Sequence, residues 1–391
     1  MRPTPSIAYL AQGRLHVKGP DAPPRSIESR FGESLLERAL QLDRRHSWKS
    51  RGRGAQFMSR GLLWGAGAEE GQASQVSLTG LSAGREPGEL LYALETRDIA
   101  GVLAVRRGGE LEERLFHGNE RRIRQISTRP GLGRIACSLR HASGTAAIAL
   151  MDPDGSNLGE VTEGDSVDEA PAFAPGDPDT LVFQSAGIGR DAEGRIRALG
   201  PSAVKRLRLS SGEIETLWES PDHDHLGPRL APDGTLLCIR RPHRGAGAFA
   251  LLPALKDLLL LPLRLLVALF HWLDFFSVRY SGKPLTTAGG PRREGADIRQ
   301  MMIWGNLVDA GQAAREAAGR GEEHPGLVPP AWELVRQGPV PEALARGVLS
   351  FDVGGDGSVV YSNGSAVYLL EADGPRCLAS DALIEQVVIV E

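Results

Sequence analysis

The sequence contains little cysteine, and this shortage excludes two kinds of protein. Only three of the 391 residues are cysteine, at positions 137, 238 and 377. Cys137 and Cys238 stand inside apolar, strand-like runs, so the chain has neither a disulfide framework nor the clustered cysteines of a zinc site. The sequence therefore predicts buried, reduced thiols and a cytoplasmic protein.

An excess of charge of one sign is also missing. The chain has 45 lysine and arginine residues against 49 aspartate and glutamate residues, which gives a formal net charge of −4. This balance argues against a broadly basic surface that coats nucleic acid, so nucleic acid is not predicted as a partner. Residues 1–10 lack the apolar core of a secretion signal, which again favours the cytoplasm.

Familiar catalytic motifs are absent from the sequence. Residues 281–290 contain Gly-Lys, but not in the order of a phosphate-binding loop, and no Gly-x-Ser-x-Gly elbow occurs. The densest set of metal-ligand residues is Asp222-His-Asp-His225. Neighbouring side chains on an extended chain point to opposite faces, so these four residues do not predict a metal site. No metal and no cofactor is predicted.

The sequence does contain a repeated pattern of a turn followed by an apolar strand. Its clearest copy is residues 228–239, in which Pro232-Asp233-Gly234 suits a tight turn and Leu236, Leu237 and Ile239 suit a buried strand. Related segments occur at residues 81–92, 127–137, 171–183 and 350–361. The 48 glycines and 26 prolines are typical of many short strands joined by tight turns.

Six repeats of about 45 residues would account for the chain, which is the spacing of four-stranded blades. Residues 6–31 supply three strands, and residues 385–391 form a last strand without a following partner. This last strand could complete the first blade and remove the exposed sheet edges. We therefore predict an all-β fold, a six-bladed β-propeller over residues 1–391 that is closed by N- and C-terminal strands in one blade and carries helical insertions.

Two repeats share an additional element. Asp168-Glu-Ala-Pro171 aligns with His225-Leu-Gly-Pro228, and each is followed by a turn. This arrangement resembles the TolB-like propeller family, whose blades open with a polar-x-x-Pro element before a Ser-Pro-Asp-Gly turn. Alanine replaces the serine here, and several repeats lack the Asp-Gly pair. The resemblance implies the fold and carries no chemistry with it.

The first predicted insertion covers residues 33–65. Apolar residues between Glu33 and Arg45 follow helical spacing, which predicts a surface helix. A basic, glycine-containing loop follows the helix. Its arginines could contact an anion or phosphate, because guanidinium groups and glycine amides suit phosphate oxygens. The alternative is a solvated loop whose aromatic residues pack on the ring. The anion-binding candidates are Arg51, Arg53 and Arg60.

The second predicted insertion, residues 249–299, lies within the fifth blade and is the most apolar part of the chain. Residues 249–276 predict an amphipathic helix with a wide apolar face. Arg264 would lie near the centre of a membrane span at a cost of about 2.5 kcal/mol or more, so docking on a surface is favoured over spanning. The other interpretation is packing on the propeller itself. The apolar contacts are Leu259, Leu266, Phe270 and Trp272, and the anionic contacts are made by Arg279, Lys283, Arg292 and Arg293.

These observations favour a noncatalytic interaction scaffold over an enzyme. The expected partner is a protein or an anionic membrane surface, which would make the protein cytoplasmic or peripheral to a membrane. The chain is expected to be a monomer unless the insertion mediates self-association. The alternative function is a small-molecule hydrolase or lyase at the mouth of the central channel. Its candidate residues are Asp168 and His225, which occupy equivalent repeat positions.

Overall fold

The structure is a computed structural model of the chain. It describes residues 4–38, 41, 76–96, 99–106, 109, 111–119, 121–243, 300–303, 306–309, 319 and 323–390. Its strands form antiparallel sheets throughout this part of the chain, with one parallel pair between two of them. The prediction of an all-β fold is confirmed. Two compact units are present, one formed by residues 1–243 and 309–391 and the other by residues 244–308.

The terminal strands share one sheet. Its four strands have the order β27-β1-β2-β3. They are β1 (Ser6–Ala11), β2 (Arg14–Lys18), β3 (Arg25–Ile27) and β27 (Ile384–Val390). The turn between β1 and β2 is Gln12-Gly13, where both residues have positive φ, 52° and 72°. Such a two-residue turn matches the twist of a hairpin, which is why Gln-Gly signals one in the sequence.

The next two sheets follow in chain order. A four-stranded sheet has the order β4-β5-β6-β7 and is followed by a nine-stranded sheet. The first consists of β4 (Ser77–Ala83), β5 (Glu89–Glu95), β6 (Ala100–Arg106) and β7 (Glu112–Gly118). The second consists of β8 (Arg122–Ser127), β9 (Ile135–Arg140), β10 (Ala146–Met151), β11 (Gly159–Glu160), β12 (Ser166–Ala174), β13 (Asp177–Arg190), β14 (Ile196–Leu199), β15 (Ala203–Arg208) and β16 (Glu213–Trp218). A single parallel pair, Ala146 with Val167, joins β10 to β12.

The remaining strands form two four-stranded sheets and one two-stranded sheet. The four-stranded sheets have the orders β17-β18-β21-β22 and β23-β24-β25-β26, and β19 pairs only with β20. The bounds are β17 (His223–Leu230), β18 (Leu236–Pro242), β19 (Gln300–Ile303), β20 (Asn306–Asp309), β21 (Glu333–Arg336), β22 (Glu342–Arg346), β23 (Ser350–Val353), β24 (Val359–Ser362), β25 (Ala366–Glu371) and β26 (Gly374–Ser380).

The turns of the repeat form as the sequence indicates. Before β18, the Asp233 carboxylate accepts a hydrogen bond from the Thr235 amide at 2.9 Å, and Gly234 has a φ of 81°. Before β24, Asp356 accepts from the Ser358 amide at the same distance. An aspartate that satisfies the chain two residues later, followed by a residue that tolerates positive φ, fixes the reversal between the two strands.

The core consists of apolar layers between successive sheets. Leu91 and Val102 of the β4–β7 sheet pack with Ile135 and Cys137 of the next sheet. Between the β23–β26 sheet and the terminal sheet, Val360 and Ile7 belong to one buried cluster. Both faces of a central strand are therefore covered, which explains why these strands read as nearly continuous apolar runs.

A helix, α1, covers residues 30–38 and begins three residues before the predicted start at Glu33. Ser29 caps it, since its hydroxyl accepts from the Gly32 amide at 3.0 Å. The carboxylate of Glu112, on β7, accepts from the Phe31 amide at 3.0 Å. Because Glu112 lies 81 positions further along the chain than Phe31, helical spacing in the local sequence did not give the correct start of α1. Residues 39, 40 and 42–45 of the predicted helix and the basic loop lie outside the described residues.

Candidate functional site

Six strands from different parts of the chain meet at one cavity, and we call them the cavity strands. They are β4, β8, β12, β17, β23 and β27. Each contributes residues near its carboxyl-terminal end, from Leu81 of β4 to Ile389 of β27. The empty volume is about 460 Å³, including the space that is open to solvent. Side chains separated by hundreds of residues in the sequence therefore face one shared space.

The cavity has apolar walls and three charged groups. Phe173, Val353 and Val388 are among its apolar lining residues, and Arg129, Arg229 and Asp352 are its charged ones. Nε of Arg229 donates to Oδ1 of Asp352 at 3.2 Å, and Nη1 donates to the Pro228 carbonyl at 2.9 Å. Nη2 of Arg129 donates to the Val353 carbonyl at 3.1 Å. The formal charge of the three groups is +1.

Hydrogen bonds also connect neighbouring cavity strands. The Gln386 side chain of β27 both accepts from the Leu81 amide of β4, at 3.0 Å, and donates to its carbonyl, at 2.8 Å. Between β8 and β12, Gln125 accepts from the Ala170 amide at 3.0 Å. Between β23 and β27, Oδ2 of Asp352 accepts from the Ile389 amide at 2.9 Å. These side chains thus form hydrogen bonds with backbone groups that no neighbouring strand in the described part of the chain pairs with.

The two candidates for an enzymatic mouth, Asp168 and His225, are both buried. Asp168 on β12 is 4% exposed and His225 on β17 is 1% exposed. Their main-chain carbonyls occupy similar positions, because each accepts from a serine hydroxyl, that of Ser138 at 3.0 Å and that of Ser202 at 3.2 Å. Oδ1 of Asp168 and Nδ1 of His225 have no hydrogen-bond partner among the residues that the structure describes. Neither residue lines the cavity described above.

The imidazole of His225 packs against an indole. Its ring centroid lies 4.5 Å from that of Trp218. Burial, with smaller contributions from the neighbouring His223 and Arg240 side chains, lowers the pKa of His225 to about 4. The ring is therefore neutral in the folded protein at neutral pH, and it behaves as part of the packed interior.

We expect acidification to destabilise the fold through His225. Between its unfolded pKa of 6.5 and its folded pKa of about 4, the unfolded chain binds a proton that the folded chain does not bind. The free energy of unfolding then falls with pH from about 6.5 and reaches its full loss, about 3 kcal/mol, below pH 4. Urea unfolding at pH 7.5 and pH 4.5 measures this change. His225→Phe keeps a ring against Trp218, and this variant should lose less stability between the two pH values. An equal loss in both proteins would contradict the prediction.

A second buried polar cluster, which the sequence analysis did not predict, surrounds Asp224. Its carboxylate accepts from the Ser202 amide at 3.0 Å and from Nε of Arg241 at 2.9 Å, and it contacts Nδ1 of His243 at 2.7 Å. The Arg241 guanidinium lies 4.8 Å from the ring centroid of Trp332. The cluster joins the start of β15 to β17, β18 and the segment before β21, beside the point where the chain leaves β18.

No motif in the sequence predicted Arg129, Arg229 and Asp352 as site residues. A signal was present for two of them, since Arg229 and Asp352 each stand two residues before a turn of the repeat. Those turns begin at Ala231 and Gly354. The equivalent offset places both side chains at the same end of their strands. This offset indicates a shared site only because the cavity strands meet at one cavity.

The other predicted site residues lie outside the described residues, and their roles stay predictions. They are Arg51, Arg53, Arg60, Leu259, Leu266, Phe270, Trp272, Arg279, Lys283, Arg292 and Arg293. Within the described part of the chain, no three His, Cys, Asp or Glu side chains are grouped so that they could hold a metal ion. Nor does any helix described there have the length and apolar character needed to cross a membrane.

Comparisons with known proteins connect this architecture to solved structures only. No family model and no curated protein matches the sequence. TolB from Acinetobacter baumannii matches over 99% of this chain and 66% of its own, with 11% identity and a TM-score of 0.51. The nidogen/laminin complex matches over 99% of this chain and 98% of the other, with 7% identity and a TM-score of 0.50. The chain thus spans slightly less than two thirds of the TolB chain.

At these identities the likeness concerns the fold alone. The chain has a β-propeller fold, similar to those of TolB and of the nidogen/laminin complex. The propeller fold that the polar-x-x-Pro element implied is therefore confirmed. A manganese complex of oligogalacturonate lyase matches over 44% of this chain and 48% of the other, with 13% identity and a TM-score of 0.33. That match is too weak to carry an argument about function.

Proposed function

We propose that the chain is a closed six-bladed propeller in which the cavity strands are the innermost strands of the blades. The nine-stranded sheet then contains two blades, β8–β11 and β12–β16, joined by the single parallel pair. Two observations support this interpretation. In chain order, each cavity strand packs against the next, and β27 packs against both β23 and β4. The cavity, in addition, is lined by all six of these strands.

The distribution of the long connections supports an interaction function, and it is the observation on which the proposal rests. Strands alternate in direction within a blade, so connections from second to third strands and from one blade to the next lie at the end opposite the cavity. The two longest connections are of these kinds. One runs from β3 to β4 over residues 28–76, and the other runs from β18 to β21 over residues 243–332. Both therefore begin and end on one face of the ring.

We infer that the protein is a noncatalytic interaction scaffold that docks through residues 249–299 on an anionic membrane surface or a protein partner. The apolar residues of this segment would supply burial, and the basic residues that follow would approach anionic groups. Loops on a rigid β scaffold are a common place for binding function, because insertions there leave the core unchanged. The packed sheets on either side of β18 provide that scaffold.

The experiment is co-sedimentation with vesicles of phosphatidylcholine and phosphatidylserine. The full chain is compared with a variant in which a Gly/Ser linker replaces residues 249–299, and circular dichroism checks that the strands are retained. We expect the full chain to sediment and the folded deletion variant to stay in solution. A second variant with Arg279, Lys283, Arg292 and Arg293 changed to glutamine should bind less, and the difference should shrink at high salt.

Equal sedimentation of the full chain and the deletion variant would contradict docking through this segment. If neither protein sediments, the membrane is excluded as the surface and a protein partner is left. If binding survives the four glutamine substitutions unchanged, the electrostatic part of the proposal is wrong and the apolar part stands.

A further inference from the structure

We draw no further inference here: the strongest candidate, the outer edge of β14 with the exposed side chains of Ile196 and Leu199, carries nothing because no observation in the described part of the chain shows what covers this apolar edge.

Discussion

Replacing Asp224 with alanine is expected to lower the free energy of unfolding by about 3–5 kcal/mol, because it removes the buried carboxylate that contacts the buried Arg241 guanidinium. The Asp224 and Arg241 side chains are each only 6% exposed, and Nε of Arg241 lies 2.9 Å from Oδ2 of Asp224. The substitution also removes the acceptor for the Ser202 amide and the partner of Nδ1 of His243. Urea unfolding at pH 7.5 measures the loss.

The control for this prediction is an exposed ion pair. Glu86 lies 3.4 Å from Arg106, and both side chains are about 70% exposed. Glu86→Ala should change the free energy of unfolding by less than about 1 kcal/mol, since solvent screens such pairs. A loss of similar size in the two variants would contradict the role assigned to burial around Asp224.

Phe183→Ala is expected to cost about 3–5 kcal/mol, since it opens a cavity between two packed layers. Phe183 lies on β13 and is fully buried. It belongs to one apolar cluster with Ile148 of β10, Phe173 of β12 and Leu207 of β15. The substitution therefore removes contacts on both sides of the junction between β10 and β12, where only one pair of residues joins the strands. Urea unfolding again measures the change.

Two further variants show whether packing is the cause. Phe183→Leu keeps most of the volume and should cost clearly less than Phe183→Ala. Leu111→Ala removes an apolar side chain that is 70% exposed and should change the stability by no more than about 0.5 kcal/mol. If Phe183→Ala is as mild as Leu111→Ala, the β10–β12 junction does not depend on this layer.

The local structure follows from the sequence because its signals are local. The turn at Asp233-Gly234 forms through a contact between residues two positions apart. The sequences of β5 and β18 are nearly continuous apolar runs because packed sheets cover both faces of each strand. Helix α1 shows the limit of such reasoning, since its start depends on Glu112 of β7.

For the candidate site residues, too, the sequence predicted the local features and the fold decided the rest. The alignment of Asp168 with His225 identified equivalent positions on two strands, and their carbonyls do accept equivalent serine hydrogen bonds. The alignment could not say that both side chains would be buried, because burial depends on the neighbouring sheets. Asp224 was considered only as a member of a metal-ligand run, although its partners Arg241 and His243 lie 17 and 19 positions further along the chain.

The sequence by itself determined that this chain forms short strands joined by tight turns, with an apolar insertion after β18, because periodicity and turn chemistry act between near neighbours. Tertiary structure alone decided which ends of the strands converge. Arg129, Arg229 and Asp352 are brought to one cavity by the packing of strands that are far apart in the chain. Such convergence depends on how successive sheets pack and twist, and no local sequence pattern encodes it.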